Sequence, residues 1–226
     1  TVTGTGAAQA VQLSSDDLTT LGDGTISVSA DSTDAAGNAS NVGTASFTLD
    51  TSAPATPMLA LGIGVANGAT IAETTATTGA VTVNAENGAT TVVTFTNGSQ
   101  TVTKTVTGIG AAQAVQLNSA DLTALGDGTI SVSATTTDAA GNASSAGTTG
   151  FTLDTGAPTT PTLALGAGVA NGATIAEATA TTGAVTVNAE NGATTVVTFS
   201  NGSQTVTKTV TGTGAAQAVQ LSSDDL

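Results

Sequence analysis

Along the chain, apolar residues recur at every second position in short runs. Val81 and Val83 flank Thr82, Val93 and Phe95 alternate with Thr94 and Thr96, and Val102 and Val106 alternate with Thr101, Thr103, Thr105 and Thr107. A two-residue period carried by Thr and Val predicts half-buried antiparallel strands. The same pattern places a strand at Leu59 and Leu61. It also turns Val115 with Leu117, Ile130 with Val132, and Phe151 with Leu153 toward a core on three further strands. Asn87-Gly88 and Asn97-Gly98 are tight-turn signals between the second, third and fourth strands. One stretch, Ser119–Gly126, reads as a helical turn, with Ser119 capping it, Leu122 and Leu125 facing inward and Gly126 ending it. Lys104 breaks the alternation, because it shares the parity of Val102 and Val106. A β-bulge would reconcile it, and so would an edge strand on which a lysine guards against strand addition; the edge is preferred.

The segment Thr1-Val-Thr-Gly returns at Thr105 and again at Thr209, a period of 104 residues. Aligning 1–122 with 105–226 leaves 19 mismatches in 122 positions, about 84% identity. Such a period is the size of an independent small domain rather than of a solenoid repeat. The stretch Leu49-Asp50-Thr51-Ser52-Ala53-Pro54-Ala55-Thr56-Pro57 returns as Leu153-Asp154-Thr155-Gly156-Ala157-Pro158-Thr159-Thr160-Pro161. Two prolines in four positions fix φ and remove donors, which predicts an extended, stiff linker. Residues 1–50 are then the C-terminal part of a repeat, 51–154 a complete repeat, and 155–226 the N-terminal part of a third. Seven strands in about 100 residues joined by short turns predict an all-β fold, immunoglobulin-like β-sandwiches in a head-to-tail tandem array. The core would be thin, made of Val, Leu, Ile and Ala without Cys or Trp. Starting at Thr1 with no signal-peptide pattern, the chain reads as a fragment.

Composition narrows the chemistry. Two Lys+Arg stand against 16 Asp+Glu, for a net charge of −14, and there is no His and no Cys. Disulfide scaffolds, Cys/His zinc sites and nucleophile–His catalysis need residues this chain lacks. Two lysines cannot make a nucleic-acid-binding face. No apolar run is long enough for a membrane-spanning helix. Paired carboxylates suggest glycoside hydrolysis, but that chemistry usually rests on aromatic sugar platforms, and the chain has four Phe and no Tyr or Trp. No catalytic residue is assigned. The glycines of Gly62-Ile63-Gly64 and Gly108-Ile109-Gly110 precede no expected helix and do not read as phosphate cradles. The row Thr101, Thr103, Thr105 and Thr107 would suit an ice- or sugar-facing array, but an ordinary solvent face of a Thr-rich strand accounts for it, since the repeat offers one clear row.

Three motifs carry a resemblance. Leu125-Gly126-Asp127-Gly128-Thr129, Thr137-Asp138-Ala139-Ala140-Gly141-Asn142-Ala143-Ser144 and Phe151-Thr152-Leu153-Asp154-Thr155-Gly156-Ala157-Pro158 resemble the bacterial Ig-like extender repeats of giant RTX adhesins. The resemblance covers the whole chain. It implies calcium-stiffened spacers at the bacterial cell surface, with adhesion carried by a separate region. The glycine-rich nonapeptides of the secretion end of such proteins do not occur here.

The acids fit that expectation. Each copy shares six, which in the middle repeat are Glu73, Glu86, Asp121, Asp127, Asp138 and Asp154, beside the single Lys104. Solvated loop charge that keeps the protein soluble is the plain reading. Seven alternating strands, however, gather Glu86, Asp138 and Asn142 at the leading end of a repeat. They gather Asp121, Asp127, Asp154 and, less firmly, Glu73 at the trailing end. In a head-to-tail array both sets meet at a joint, and Ca²⁺ takes six to eight oxygens of this kind. No linear EF-hand pattern occurs, so ligands would come from separate loops. With the resemblance, the expected Ca²⁺ ligands are Asp23, Asp34, Asn38, Asp50, Glu86, Asp127, Asp138, Asn142, Asp154 and Glu190, with Asp127, Asp154 and Glu190 sharing one joint. Asp16 and Asp31 are set aside, because their counterparts are Ala120 and Thr135. The expected function is a non-catalytic extracellular spacer whose partners are neighbouring identical repeats, with no nucleic acid, no membrane insertion and no small-molecule substrate. The alternative is an adhesive module that holds ice, glycan or another cell.

Overall fold

The computed structural model describes residues 1–226, which form two compact units, Thr1–Thr155 and Gly156–Leu226. In the first unit the elements run α1 (Ser15–Leu21), β1 (Gly24–Ala30), β2 (Gly43–Leu49), β3 (Met58–Leu61), α2 (Ile71–Thr74), β4 (Val81–Asn84), β5 (Thr90–Thr96), β6 (Thr101–Thr107), β7 (Ala112–Val115), α3 (Ser119–Leu125), β8 (Gly128–Thr137) and β9 (Gly147–Leu153). In the second they run β10 (Thr162–Leu165), α4 (Ile175–Ala178), β11 (Val185–Asn188), β12 (Thr194–Ser200), β13 (Thr205–Thr211) and β14 (Ala216–Val219). None of these helices is long and apolar enough to cross a membrane.

Residues 58–153 build an Ig-like sandwich. One sheet has the order β3-β4-β7 and the other β6-β5-β8-β9, and all ladders are antiparallel. Ala69 adds a parallel bridge to Leu153. The inward residues of both sheets meet in one core, with Val81, Val83 and Val115 from the first and Val93, Phe95, Ile130, Val132 and Leu153 from the second. Seven strands thus lie where the alternation predicts. The fourth, β6, pairs with β5 and so belongs to the larger sheet, whereas antibody constant domains place it with the other. The tight turn explains this. Asn97 Oδ1 accepts the N–H groups of Ser99 (3.0 Å) and Gln100 (2.9 Å), folding β6 straight back on β5.

The β5–β6 register runs unbroken from Thr90↔Thr107 to Thr96↔Thr101, so there is no bulge at Lys104. β6 is an edge strand. Lys104 does lie on the core-facing side, where its ammonium meets Asp121 Oδ2 of α3 at 2.5 Å. The cap of α3 is Asn118 and not Ser119: Asn118 Oδ1 accepts Asp121 N–H (3.0 Å), and Asp121 Oδ2 accepts Asn118 N–H (2.7 Å). Leu122 and Leu125 are buried, and Gly126 ends the helix with a positive φ. α2 is a helical turn that the period-2 reading did not anticipate. Thr70 and Glu73 close a reciprocal capping box around it, the signature legible as Thr70-x-x-Glu73.

Residues 1–50 hold α1 and a β1–β2 hairpin without a core. Residues 21–30 and 125–134 are identical in sequence, yet their environments differ. Val28 is 44% exposed where Val132 is 1%, and Phe47 is 42% exposed where Phe151 is 6%. The second unit repeats the two sheets in part, as β10-β11-β14 and β12-β13, around Val187, Val197 and Val219. Its Lys208 pairs with Asp225 at 2.5 Å, and that ammonium, with Ser222, lowers the Asp225 carboxyl to about 2.

Candidate joint and cation-binding residues

The linker that follows β2 runs extended from Asp50 to Pro57, with Pro54 and Pro57 buried. Three carboxylates grip its start. Asp23, in the turn between α1 and β1, accepts Thr51 N–H (2.8 Å) and Thr51 Oγ1 (2.7 Å) on Oδ1, and Ser52 Oγ (2.5 Å) on Oδ2. Asp50 Oδ1 accepts Ser52 N–H at 3.1 Å, so both aspartates converge on Ser52. From the β8–β9 loop, Asn142 Nδ2 donates to Asp50 O (3.1 Å) and approaches Asp50 Oδ1 (3.5 Å). The same amide donates to Asp138 Oδ2 at 2.9 Å. Asp50, Asn142 and Asp138 therefore form a continuous polar chain where residues 1–50 meet the sandwich.

The loop is preset for this. Asp138 Oδ1 accepts the N–H groups of Gly141 (2.8 Å) and Asn142 (2.8 Å), an Asx-type turn that fixes the Asn142 side chain. Asp34 and Asn38 make the same turn between β1 and β2: Asp34 Oδ1 accepts Ala36 N–H (2.9 Å) and Asn38 N–H (2.8 Å), and Oδ2 accepts Asn38 Nδ2 (2.9 Å). These bonds stabilise the ionised form. The Asn142 amide holds the Asp138 carboxyl below its ordinary range, the Asn38 amide does so for Asp34, and the Ser52 hydroxyl followed by Thr51 does so for Asp23.

Close packing seats the linker. A Cβ on Gly147 would stand 2.0 Å from Pro57 O. Glu86 borders a shallow groove with Ala55, Thr56 and Met58. In the second unit the corresponding Glu190 accepts Thr159 N–H at 2.9 Å. Asp127 reproduces the Asp23 clamp, accepting Thr155 N–H (2.9 Å) and Thr155 Oγ1 (2.7 Å). Asp154 N–H donates to Ala69 O at 2.9 Å.

The ten expected ligands thus sort into small sets. Asp23 with Asp50, and Asp50 with Asn142 and Asp138, are brought together. Asp34 and Asn38 pair with each other, and Glu86 and Glu190 lie along their linkers. No group of three carboxylates converges. Two of the six shared acids are engaged elsewhere, Glu73 in the α2 cap and Asp121 with Lys104 and Asn118. The linker hydroxyls of Thr51, Ser52 and Thr155 are partners the sequence reading missed. Their recurrence directly after Leu-Asp, as Asp50-Thr51 and Asp154-Thr155, is the signal that pointed to them.

One surface differs from expectation. The register sets Thr94 beside Thr103 and Ser133, and Thr96 beside Thr101 and Ser131. The outer face of the larger sheet therefore carries hydroxyls on several adjacent strands, not in one row.

No family model and no curated protein matches the chain. Among solved structures, the chain is similar to a tetra-tandem repeat from the extending region of a large adhesion protein (21% identity over 92% of this chain and 51% of that one, TM-score 0.39). It is similar to a Ca²⁺-stabilised adhesin that helps an Antarctic bacterium reach out and bind ice (26%, 85% and 47%, TM-score 0.35). It is similar as well to a 1.5-MDa bacterial ice-binding adhesin studied for its retention at the host cell surface (25%, 90% and 65%, TM-score 0.36). The chain spans between 47% and 65% of the length of these structures.

Proposed function

We propose that this chain is a non-catalytic spacer from a large bacterial surface adhesin, with one complete repeat at 51–154 between parts of two others, and that Ca²⁺ stiffens its joints. The observation that carries the reading is the joint itself. Asp50, at the end of one repeat, is bonded through Asn142 to Asp138 of the next, and Asp23 pins the intervening Thr51 and Ser52. A joint built from polar side chains between near-identical copies suits a part that sets spacing and direction. The donor set suits a hard cation: carboxylate, amide and main-chain oxygens, with no nitrogen or sulfur ligand. Asp50, Asp138 and Asn142 would hold the ion, with the Asn142 amide turned so that its oxygen faces Asp50. Carbonyls and water would complete the shell, since three carboxylates do not converge. The ion would supply charge neutralisation and cross-linking, and no chemistry.

The test is thermal unfolding in Ca²⁺ and in EDTA. At a free Ca²⁺ concentration of 100 times Kd, binding stabilises by about 2.7 kcal/mol per site, so chelation should lower Tm by many degrees and Asp138→Ala should remove much of that dependence. A Tm indifferent to chelation refutes the calcium part. The spacer part fails separately if small-angle scattering shows the same maximum dimension when Asp50→Ala and Asn142→Ala are combined. The Thr/Ser face of the larger sheet favours a second reading, an adhesive module for ice or glycan. Retention on either surface that Thr103→Glu abolishes would support it.

A further inference from the structure

We propose that this chain joins end to end with a second copy of itself, the β1–β2 hairpin of one copy completing the open sandwich of residues 156–226 of the next. The middle repeat shows what each part lacks. There, β8 pairs with β5 on one edge and β9 on the other, and Ile130, Val132 and Leu153 fill the core. β1 and β2 pair with each other in the matching register, Ile26↔Phe47 for Ile130↔Phe151, but the second edge of β1 meets no strand and Val28 and Phe47 lie exposed.

The second unit has the complementary defect. β12 pairs only with β13, where its counterpart β5 has strands on both sides. Beside it opens an apolar cavity of about 610 Å³, lined by Leu165, Val169, Ile175, Phe199 and Leu221 among others. In the middle repeat the counterparts Val65, Phe95 and Leu117 are buried with Ile130 and Leu153. Ala69 there exchanges backbone bonds with Thr152 and Asp154, while its counterpart Ala173 borders the open cavity. The missing piece has the sequence of 125–134, and the chain carries that sequence again at 21–30. Residues 1–13 pair with no strand and do not block the hairpin.

The occupant is a second copy because of where the pieces are attached. Residues 1–50 are bonded at Asp50 to the β8–β9 loop, and the chain leaves the sandwich at Thr155, beside the opposite end of that hairpin, where Gly128 faces Leu153. Each copy then has one donor end and one acceptor end. This is a heterologous contact that does not close, so association extends into chains.

The 104-residue offset fixes the intermolecular register: Phe199↔Val28 for Phe95↔Val132, and Thr198↔Ser29 for Thr94↔Ser133. Ser29 and Thr198 are on the outer face, and the chain has no cysteine. Ser29→Cys combined with Thr198→Cys, oxidised with copper–phenanthroline, should give a non-reducing ladder of linked dimers and larger species that fades on dilution. Ser29→Cys with Thr194→Cys, four residues out of register, should give none. Adding Phe47→Asp to the first pair should abolish the ladder, and so should lengthening the chain past Leu226 with the sequence of residues 123–154, which fills the cavity in cis. The proposal is overturned by no ladder at any concentration, by an equal ladder from the out-of-register pair, by a ladder that survives the lengthened chain, or by a dilution-independent cross-linked monomer.

Discussion

Ile26 and Ile130 sit in identical ten-residue stretches, so changing each to alanine isolates what surroundings contribute. Ile130 is fully buried between Phe95, Val132 and Leu153 in the core of the sandwich. Removing its buried methyl and methylene groups loses their transfer energy and leaves a cavity, about 3–4 kcal/mol within the range for such truncations. At roughly 4–8 °C per kcal/mol for a domain of this size, Tm of the middle repeat should fall by about 12 °C or more. Ile26 lies on a two-stranded hairpin with no core behind it, and Ile26→Ala should cost less than about 1 kcal/mol. The chain has no Trp or Tyr, so scanning calorimetry or far-ultraviolet circular dichroism is the suitable assay, at concentrations where the chain is monomeric. Equal losses for the two variants would refute the assignment of the core to residues 58–153.

Lys104→Ala leaves Asp121, whose side chain is 14% exposed, without its cation; urea denaturation should show a loss of about 1–2 kcal/mol. Gly147→Ala drives a Cβ into Pro57 O, so proteolysis within 51–57 should accelerate while the sandwich stays folded. Acid should destabilise the protein. Asp23, Asp34, Asp138 and Glu73 are held below their ordinary values, so the stability they add is fully present above about pH 4.5 and is lost as pH falls through the lowered values. A urea midpoint that stays flat down to about pH 2 would contradict those hydrogen bonds, since Asp225 alone titrates near there.

The strands were legible in the sequence because each writes its own two-residue period. The repeat was legible because self-comparison needs no structure. Capping boxes such as Thr70–Glu73 were legible in principle, being local. What lay beyond the sequence were choices among partners distant along the chain. Lys104 could be placed on an edge strand by its parity, but its pairing with Asp121 depends on α3 packing beneath β6. β6 could join either sheet until the Asn97 turn folded it onto β5. The topology placed Asp138 and Asn142 at one end of a repeat and Asp50 at the other. Only the folded chain decided that Asn142 reaches Asp50 while Asp23 takes the linker hydroxyls. The clearest separation is between residues 21–30 and 125–134. The same ten residues make the same strand in both places, because backbone preference is local. Val28 stays exposed where Val132 is buried, because burial requires a second sheet, and that belongs to the tertiary structure.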